Sequence, residues 1–140
     1  MAVRTKCLYA PPEPSDGDRI LVSRYWPPYK TWAKLQLTQF FPQLAPSPAL
    51  LKAYRANRLM WGEFDAAYRA EMEAPLGKVM IKRLAEWARS AHAEGKNITL
   101  LCFEKEDTHC HRRILKELIQ REIERQDAAP CLLDPKRTEG

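Results

Sequence analysis

The chain has 140 residues, with 23 Lys/Arg against 18 Asp/Glu for a formal net charge of +5. Hydrophobic residues at 45% and charged residues at 29% are globular proportions that exclude full-length disorder, collagen and coiled coil. The longest apolar runs, such as Ile98 to Phe103, are too short to cross a bilayer, and Met1 to Lys6 lead into no apolar signal-peptide core.

From the N-terminus, Val3, Thr5, Cys7 and Tyr9 alternate with Arg4, Lys6 and Leu8, the pattern of a strand over residues 3–9 with one buried face. Pro11, Pro12 and Pro14, then Ser15-Asp16-Gly17-Asp18, have loop and turn chemistry. Residues 19–26 are a β-rich run stopped by Pro27-Pro28. Ile20, Leu21 and Val22 in succession predict a strand covered on both faces. Residues 30–47, interrupted by Pro42 and Pro46, read as a mostly irregular linker.

Helices dominate the remainder. Ser47-Pro48 supplies an N-cap and a proline at the first helical position, ahead of Leu50, Leu51 and Tyr54. Trp61, Phe64, Tyr68 and Met72 recur at helical spacing and predict a helix over 62–73 whose aromatics are core. Leu76, Met80, Leu84, Trp87 and Ala91 predict another over 76–94, ended by Gly95. Residues 97–103, apolar nearly throughout, predict a central strand. Beyond a polar loop at 104–108, the stripe Ile114, Leu115, Leu118, Ile119 and Ile123 marks a last helix over 109–125, with Thr108 or Asp107 as its N-cap. Residues 126–140 hold two prolines and no periodicity, and read as a partly disordered tail on a single domain spanning 1–125. Strands separated by helices predict an α/β layer structure with a mostly parallel sheet.

Charge is unevenly spread: residues 1–60 carry nine Lys/Arg against three Asp/Glu, whereas 61–140 carry fourteen against fifteen. A basic half attracts phosphate-bearing partners, small molecules or nucleic acid, although the plainer reading of such a balance is solubility.

The densest reactive chemistry lies between Leu100 and Arg113. Open α/β sheets bind ligands beyond the carboxyl ends of their strands, where loops lead into helix N-termini. Cys110 and His111 fall in the first turn of the last helix, whose free N–H groups and dipole favour a thiolate and an anion. Arg112 can add a bidentate contact to such an anion, and Glu104, just past the strand, is a candidate general base. Arg24 ends its own strand and, in a parallel sheet, rises on the same edge. Trp26 beside it offers a ring on which a base can stack.

Plainer roles stand beside these. Cys102 reads as an inert core thiol. Cys110 can be packed under the helix, His111 can bond a loop carbonyl, Arg112 can pair with Glu104 or Asp107, and Arg24 can sit in a surface ion pair.

Three familiar chemistries do not fit. Cys102 lacks the arginine that a cysteine-phosphatase loop needs, and no serine has a glycine-flanked elbow. Zinc binding by Cys102, His109, Cys110 and His111 is chemically possible. The spacing matches no common ligand pattern, however, and adjacent ligands fit poorly on one helix, so no metal is expected. The sequence specifies no cofactor.

The strand Leu100-Leu101-Cys102-Phe103-Glu104 followed by Cys110-His111-Arg112 resembles the closing motif of the family called domain of unknown function 488. Ser15 to Val22 followed by Arg24, Trp26 and Pro27, and Leu44-Ala45-Pro46-Ser47 before the helix at Leu50, resemble its short YeaO-like branch. The resemblance runs to about residue 125. It implies a compact three-layer, Rossmann-like α/β fold with four or so helices, and it brings no settled activity. Ser23, Pro28-Tyr29 and Pro42 replace polar residues usual in that branch, while the Cys-His-Arg step is intact.

The combined expectation is a soluble cytoplasmic protein with no membrane partner. It holds a phosphate-bearing small molecule or nucleic acid at the strand ends, with Cys110, His111 and Glu104 as reactive groups and Arg24, Arg112 and Trp26 as ligand-binding groups. The alternatives are a non-catalytic nucleic-acid-binding module and a thiol redox sensor at Cys110.

Overall fold

Strands β1 (Val3–Cys7), β2 (Asp18–Leu21), β3 (Gln39–Phe40) and β4 (Ile98–Cys102) line up in the order β1-β4-β2-β3, with every neighbouring pair parallel. The structure, a computed structural model, describes residues 3–27, 30–104 and 109–128. All five residues of β4 are buried, as a strand with neighbours on both edges and cover on both faces requires. Its Leu100 pairs with Thr5 of β1 and with Ile20 of β2.

The period of two along each strand sorts the side chains into two layers. Ile20, Ile98 and Leu100 face a large core closed by α3 (Trp61–Met72), α4 (Pro75–Ala93) and α5 (His111–Ala128), through Phe64, Tyr68, Leu84 and Leu115. Leu21 and Leu101 point the other way, onto Leu8 and onto Leu35 of α1 (Trp32–Leu35), with Trp26, Leu37, Phe40 and Phe103 packed around them. The protein is therefore an α/β fold with a helical layer on one face of the sheet and a thinner, aromatic-rich cover on the other.

The segment read as an irregular linker contains α1 and β3. Thr31 caps α1 by accepting from the Lys34 N–H, and Gln36 ends it at φ 53°. A two-residue strand such as β3 is too short for any periodicity, and its existence depends on the neighbouring backbone of β2. Strand β2 stops sooner than its composition suggests. Val22 still donates to the Leu101 carbonyl, but the Ser23 hydroxyl then donates to the Tyr25 carbonyl and the chain turns.

Helix α2 (Pro48–Arg55) is capped as expected, with Ser47 Oγ accepting from the Leu50 N–H. Helix α5 begins at His111 and runs to Ala128, past the expected end at 125, because the Gln126 amide donates to the Lys82 carbonyl of α4. The expected caps Asp107 and Thr108 lie outside the described residues. No helix among the described residues is long and apolar enough to cross a membrane.

Gly17 joins the first loop to β2 at φ 65° and ψ −133°, a region open essentially to glycine alone. A Cβ there would lie 1.9 Å from the Asn97 carbonyl oxygen. Gly17→Ala should lower stability by about 2–5 kcal/mol, combining a positive-φ penalty of about 1–2 with an overpacking cost of about 1–3. Urea unfolding measures it, and a loss below about 0.5 kcal/mol, the level of an ordinary surface change, would contradict this account of the turn.

Candidate functional site

Because β2 and β4 are adjacent and parallel, the chain leaves both at the same edge of the sheet. Ser23, Arg24 and Tyr25 follow β2, Phe103 and Glu104 follow β4, and Cys110 and His111 open α5. Together they line a cleft of about 280 Å³, completed by Tyr54 and Arg55 of α2 and Phe64 of α3. Its position beyond the carboxyl ends of neighbouring strands is the usual one for ligands in open α/β sheets. A groove of about 500 Å³ between α4 and α5 is larger, but the Lys78–Glu73 and Arg125–Glu122 pairs on it are exposed or partly exposed neutralised charges.

Arg24 is held before any ligand arrives. Its Nε donates to the Pro46 carbonyl at 3.3 Å, and Nη2 donates to the Ala45 and Pro46 carbonyls at 3.1 Å each. The Nη1 edge makes no hydrogen bond among the described residues. Arg55, on the same cleft, is exposed and makes no ion pair among the described residues. A fixed guanidinium with one open edge and an exposed one on the same cleft suit an anionic group with several oxygens.

His111 is buried, and its Nε2 lies 2.7 Å from the Val22 carbonyl oxygen. A carbonyl only accepts, so Nε2 carries the ring proton. In the neutral ring Nδ1 is then a lone-pair donor atom, 4.0 Å from Cys102 Sγ. Tyr68 sets its ring edge-on to the imidazole at 5.6 Å and donates its hydroxyl to the Leu44 carbonyl. Burial, and then the two thiols, push the Tyr68 phenol well above its ordinary value, so it remains a neutral wall.

The two buried thiols perturb each other in opposite directions. Cys102 Sγ, Cys110 Sγ and the His111 imidazole lie within 4.8 Å of one another, and the neighbouring Cys110 thiol pulls the Cys102 thiol below its ordinary value. Cys110 is pushed up, first by its interaction with Cys102 and then by burial. It lies immediately before α5, and its proximity to the helix N-terminus does not offset the neighbouring sulfur. Cys102, read as an inert core thiol, is thus part of the site: it ends β4 but lines the cleft.

Two expected ligand-binding residues are placed elsewhere. Arg112 is only 1% exposed and is absent from the cleft lining. Its Nη1 donates to the Glu104 carbonyl at 2.6 Å and the Cys102 carbonyl at 3.4 Å, so it clamps the end of β4 to the start of α5. Trp26 packs on the opposite face of the sheet against Phe40 and Trp32, with Nε1 donating to the Lys30 carbonyl. A strand-end tryptophan beside an arginine carries no local sign of which face will take it.

Glu104 lines the cleft and is exposed. His109 lines it too, with its ring 5.0 Å from that of Trp61. Nothing in the sequence marks Tyr54 and Arg55 as site residues. Tyr54 sits at core spacing on its helix, and Arg55 had no signal beyond its place in the basic half.

This α/β edge, with its strand-end cysteine and its Cys-His-Arg step, defines a known class. The chain belongs to the DUF488 family: residues 3–123 match the family model DUF488-N3a, described as the active DUF488-N3 subclade. It is similar to the uncharacterized protein YeaO of Escherichia coli strain K12, with 32% identity over 120 residues that cover 86% of this chain and 98% of that protein. No solved structure matches it.

Proposed function

We propose that this cytoplasmic protein binds a phosphate-bearing ligand, a nucleotide or a nucleic-acid end, in the β2–β4 cleft. It acts on that ligand there with the thiol and imidazole groups of the floor. The observation that carries this reading is the shared cleft itself: Arg24 and Arg55 face the same 280 Å³ as Cys102, Cys110 and His111. Cations at the lip, buried reactive groups beneath and Tyr25 and Tyr54 on the walls are what a nucleotide-sized ligand needs. Glu104 at the rim is placed to orient a hydroxyl or take a proton.

A non-catalytic nucleic-acid module has weaker support. Two cations of the basic half are paired internally with carboxylates: Lys6 with Asp16 and Glu13, and Arg19 with Asp16. Their outward field is correspondingly reduced. A thiol sensor at Cys110 is also less favoured, because that residue is 2% exposed.

Thermal shift against a panel of nucleoside mono- and diphosphates and short oligonucleotides tests the proposal. A ligand that binds the folded state raises the melting temperature. Arg55→Gln should weaken its binding about 10-fold or more, the scale of a charge-assisted hydrogen bond, while Lys34→Gln on α1, outside the cleft, should leave it unchanged. No shift with any member at millimolar concentration, or equal losses in both variants, would overturn it.

A further inference from the structure

The geometry points to a tetrahedral, zinc-type cation site made by Cys102 Sγ, Cys110 Sγ and His111 Nδ1, with its fourth position open to the cleft. These three atoms all lie within 4.8 Å of one another. Zinc bonds of about 2.3 Å to sulfur and 2.0–2.1 Å to nitrogen put tetrahedral donors about 3.5–3.8 Å apart. The Cys102–His111 separation of 4.0 Å is already near that, and the widest pair needs to close by at most about 1 Å.

The imidazole is set as a metal ligand should be. Metal-binding histidines almost always donate their other ring N–H to a carbonyl or carboxylate, which fixes the tautomer and aims the lone pair. Here the Val22 carbonyl takes the Nε2 proton at 2.7 Å, so Nδ1 carries its lone pair on the side of Cys102. That carbonyl belongs to the chain just after β2, and Cys102 ends β4. Rigid paired strands therefore position two of the three donors.

The objection from adjacent ligands does not apply to this fold. Cys110 stands before the first residue of α5 and His111 is that residue, so helical geometry does not constrain the two side chains to diverge. Two thiols and an imidazole are a soft, borderline set suited to zinc, and three protein ligands are the number found where a water or substrate takes the fourth place. All three line the cleft, which gives that fourth place access to solvent. Loading would hold both sulfurs as thiolates and join β4 to α5. The site needs no phosphate ligand, so it stands or falls independently of the functional proposal.

The test uses the full chain, reduced and stripped with a chelator, titrated with cobalt(II) alone and then with zinc(II) against a chromophoric competitor. The expected results are one equivalent bound, a thiolate-to-cobalt charge-transfer band and the strong visible band of tetrahedral cobalt. Cys102→Ser and Cys110→Ser should each weaken zinc binding by at least about 100-fold, beyond the 10–100-fold that second-shell losses produce. Cys7→Ser, a thiol outside the trio, should leave it unchanged. The wild-type spectrum alone is decisive if either serine variant fails to fold. A weak octahedral spectrum without charge transfer, or binding that survives in both serine variants, would overturn the site.

Discussion

Arg112→Ala should destabilise the protein by about 3–5 kcal/mol and loosen the candidate site with it. Arg112 is among the largest fully buried side chains, so its removal leaves a cavity of the kind that costs about 2–5 kcal/mol. It also strips the Cys102 and Glu104 carbonyls of a charged donor. Those carbonyls flank the junction where β4 ends, and α5, which begins one residue before Arg112, carries His111 against Val22. The expected readouts are a clear drop in the urea midpoint and faster alkylation of Cys102 by a neutral reagent. Arg112→Lys should recover part of the stability, because an ammonium can reach one of the two carbonyls but cannot fork between them. An Arg112→Ala variant within about 1 kcal/mol of wild type would show that the clamp contributes little.

Asp16→Asn should cost about 3–5 kcal/mol at neutral pH, the range for breaking a buried charge pair from one side. Asp16 is fully buried. It accepts from Arg19 at 2.7 Å, from Lys6 at 3.0 Å and from the Glu13 N–H at 3.0 Å. Lys6 is 15% exposed and can turn to water, but Arg19 is 4% exposed and already has a buried Nη2 without a partner among the described residues. Neutralising its carboxylate leaves a buried cation facing neutral acceptors, the Leu35 carbonyl and the asparagine amide oxygen, with no counter-charge from position 16.

The same pair sets an acid limb. Burial pushes the Asp16 carboxyl up, but the Glu13 N–H, Lys6 and Arg19 outweigh it and hold the group below its ordinary 3.8. A carboxylate depressed by folding contributes stability that is fully present above its unfolded pKa and is lost as pH falls through the lower folded one. Wild-type melting temperature should therefore fall steeply below about pH 4, while Asp16→Asn, lower throughout, should fall less over the same range. Parallel acid limbs for the two proteins would count against Asp16 as the group responsible.

Periodicity and local chemistry disclosed much of this protein. The helices over Trp61–Met72 and Pro75–Ala93 and the Ser47 cap rest on interactions within a few residues, which spacing and residue type express directly, and the nearly unbroken apolar run of Ile98–Cys102 marks a strand covered on both faces although its pairing partners are distant. So did the edge of the sheet at which Arg24, Glu104, Cys110 and His111 would emerge, since a parallel sheet sends every strand out the same way. Tertiary structure alone decided which of these groups meet and what state they hold. His111 finds its proton acceptor in Val22, 89 residues away, and Arg24 finds its carbonyls 21 and 22 residues away. Cys102 looks like core because it is core along the strand, and it becomes a site residue only where α5 brings Cys110 and His111 against it. Trp26 and Arg112 look like ligand groups because a side chain's type is local, whereas the partner that consumes it comes from another element. A one-dimensional pattern records which face a residue occupies, and the contacts across that face are fixed only by folding.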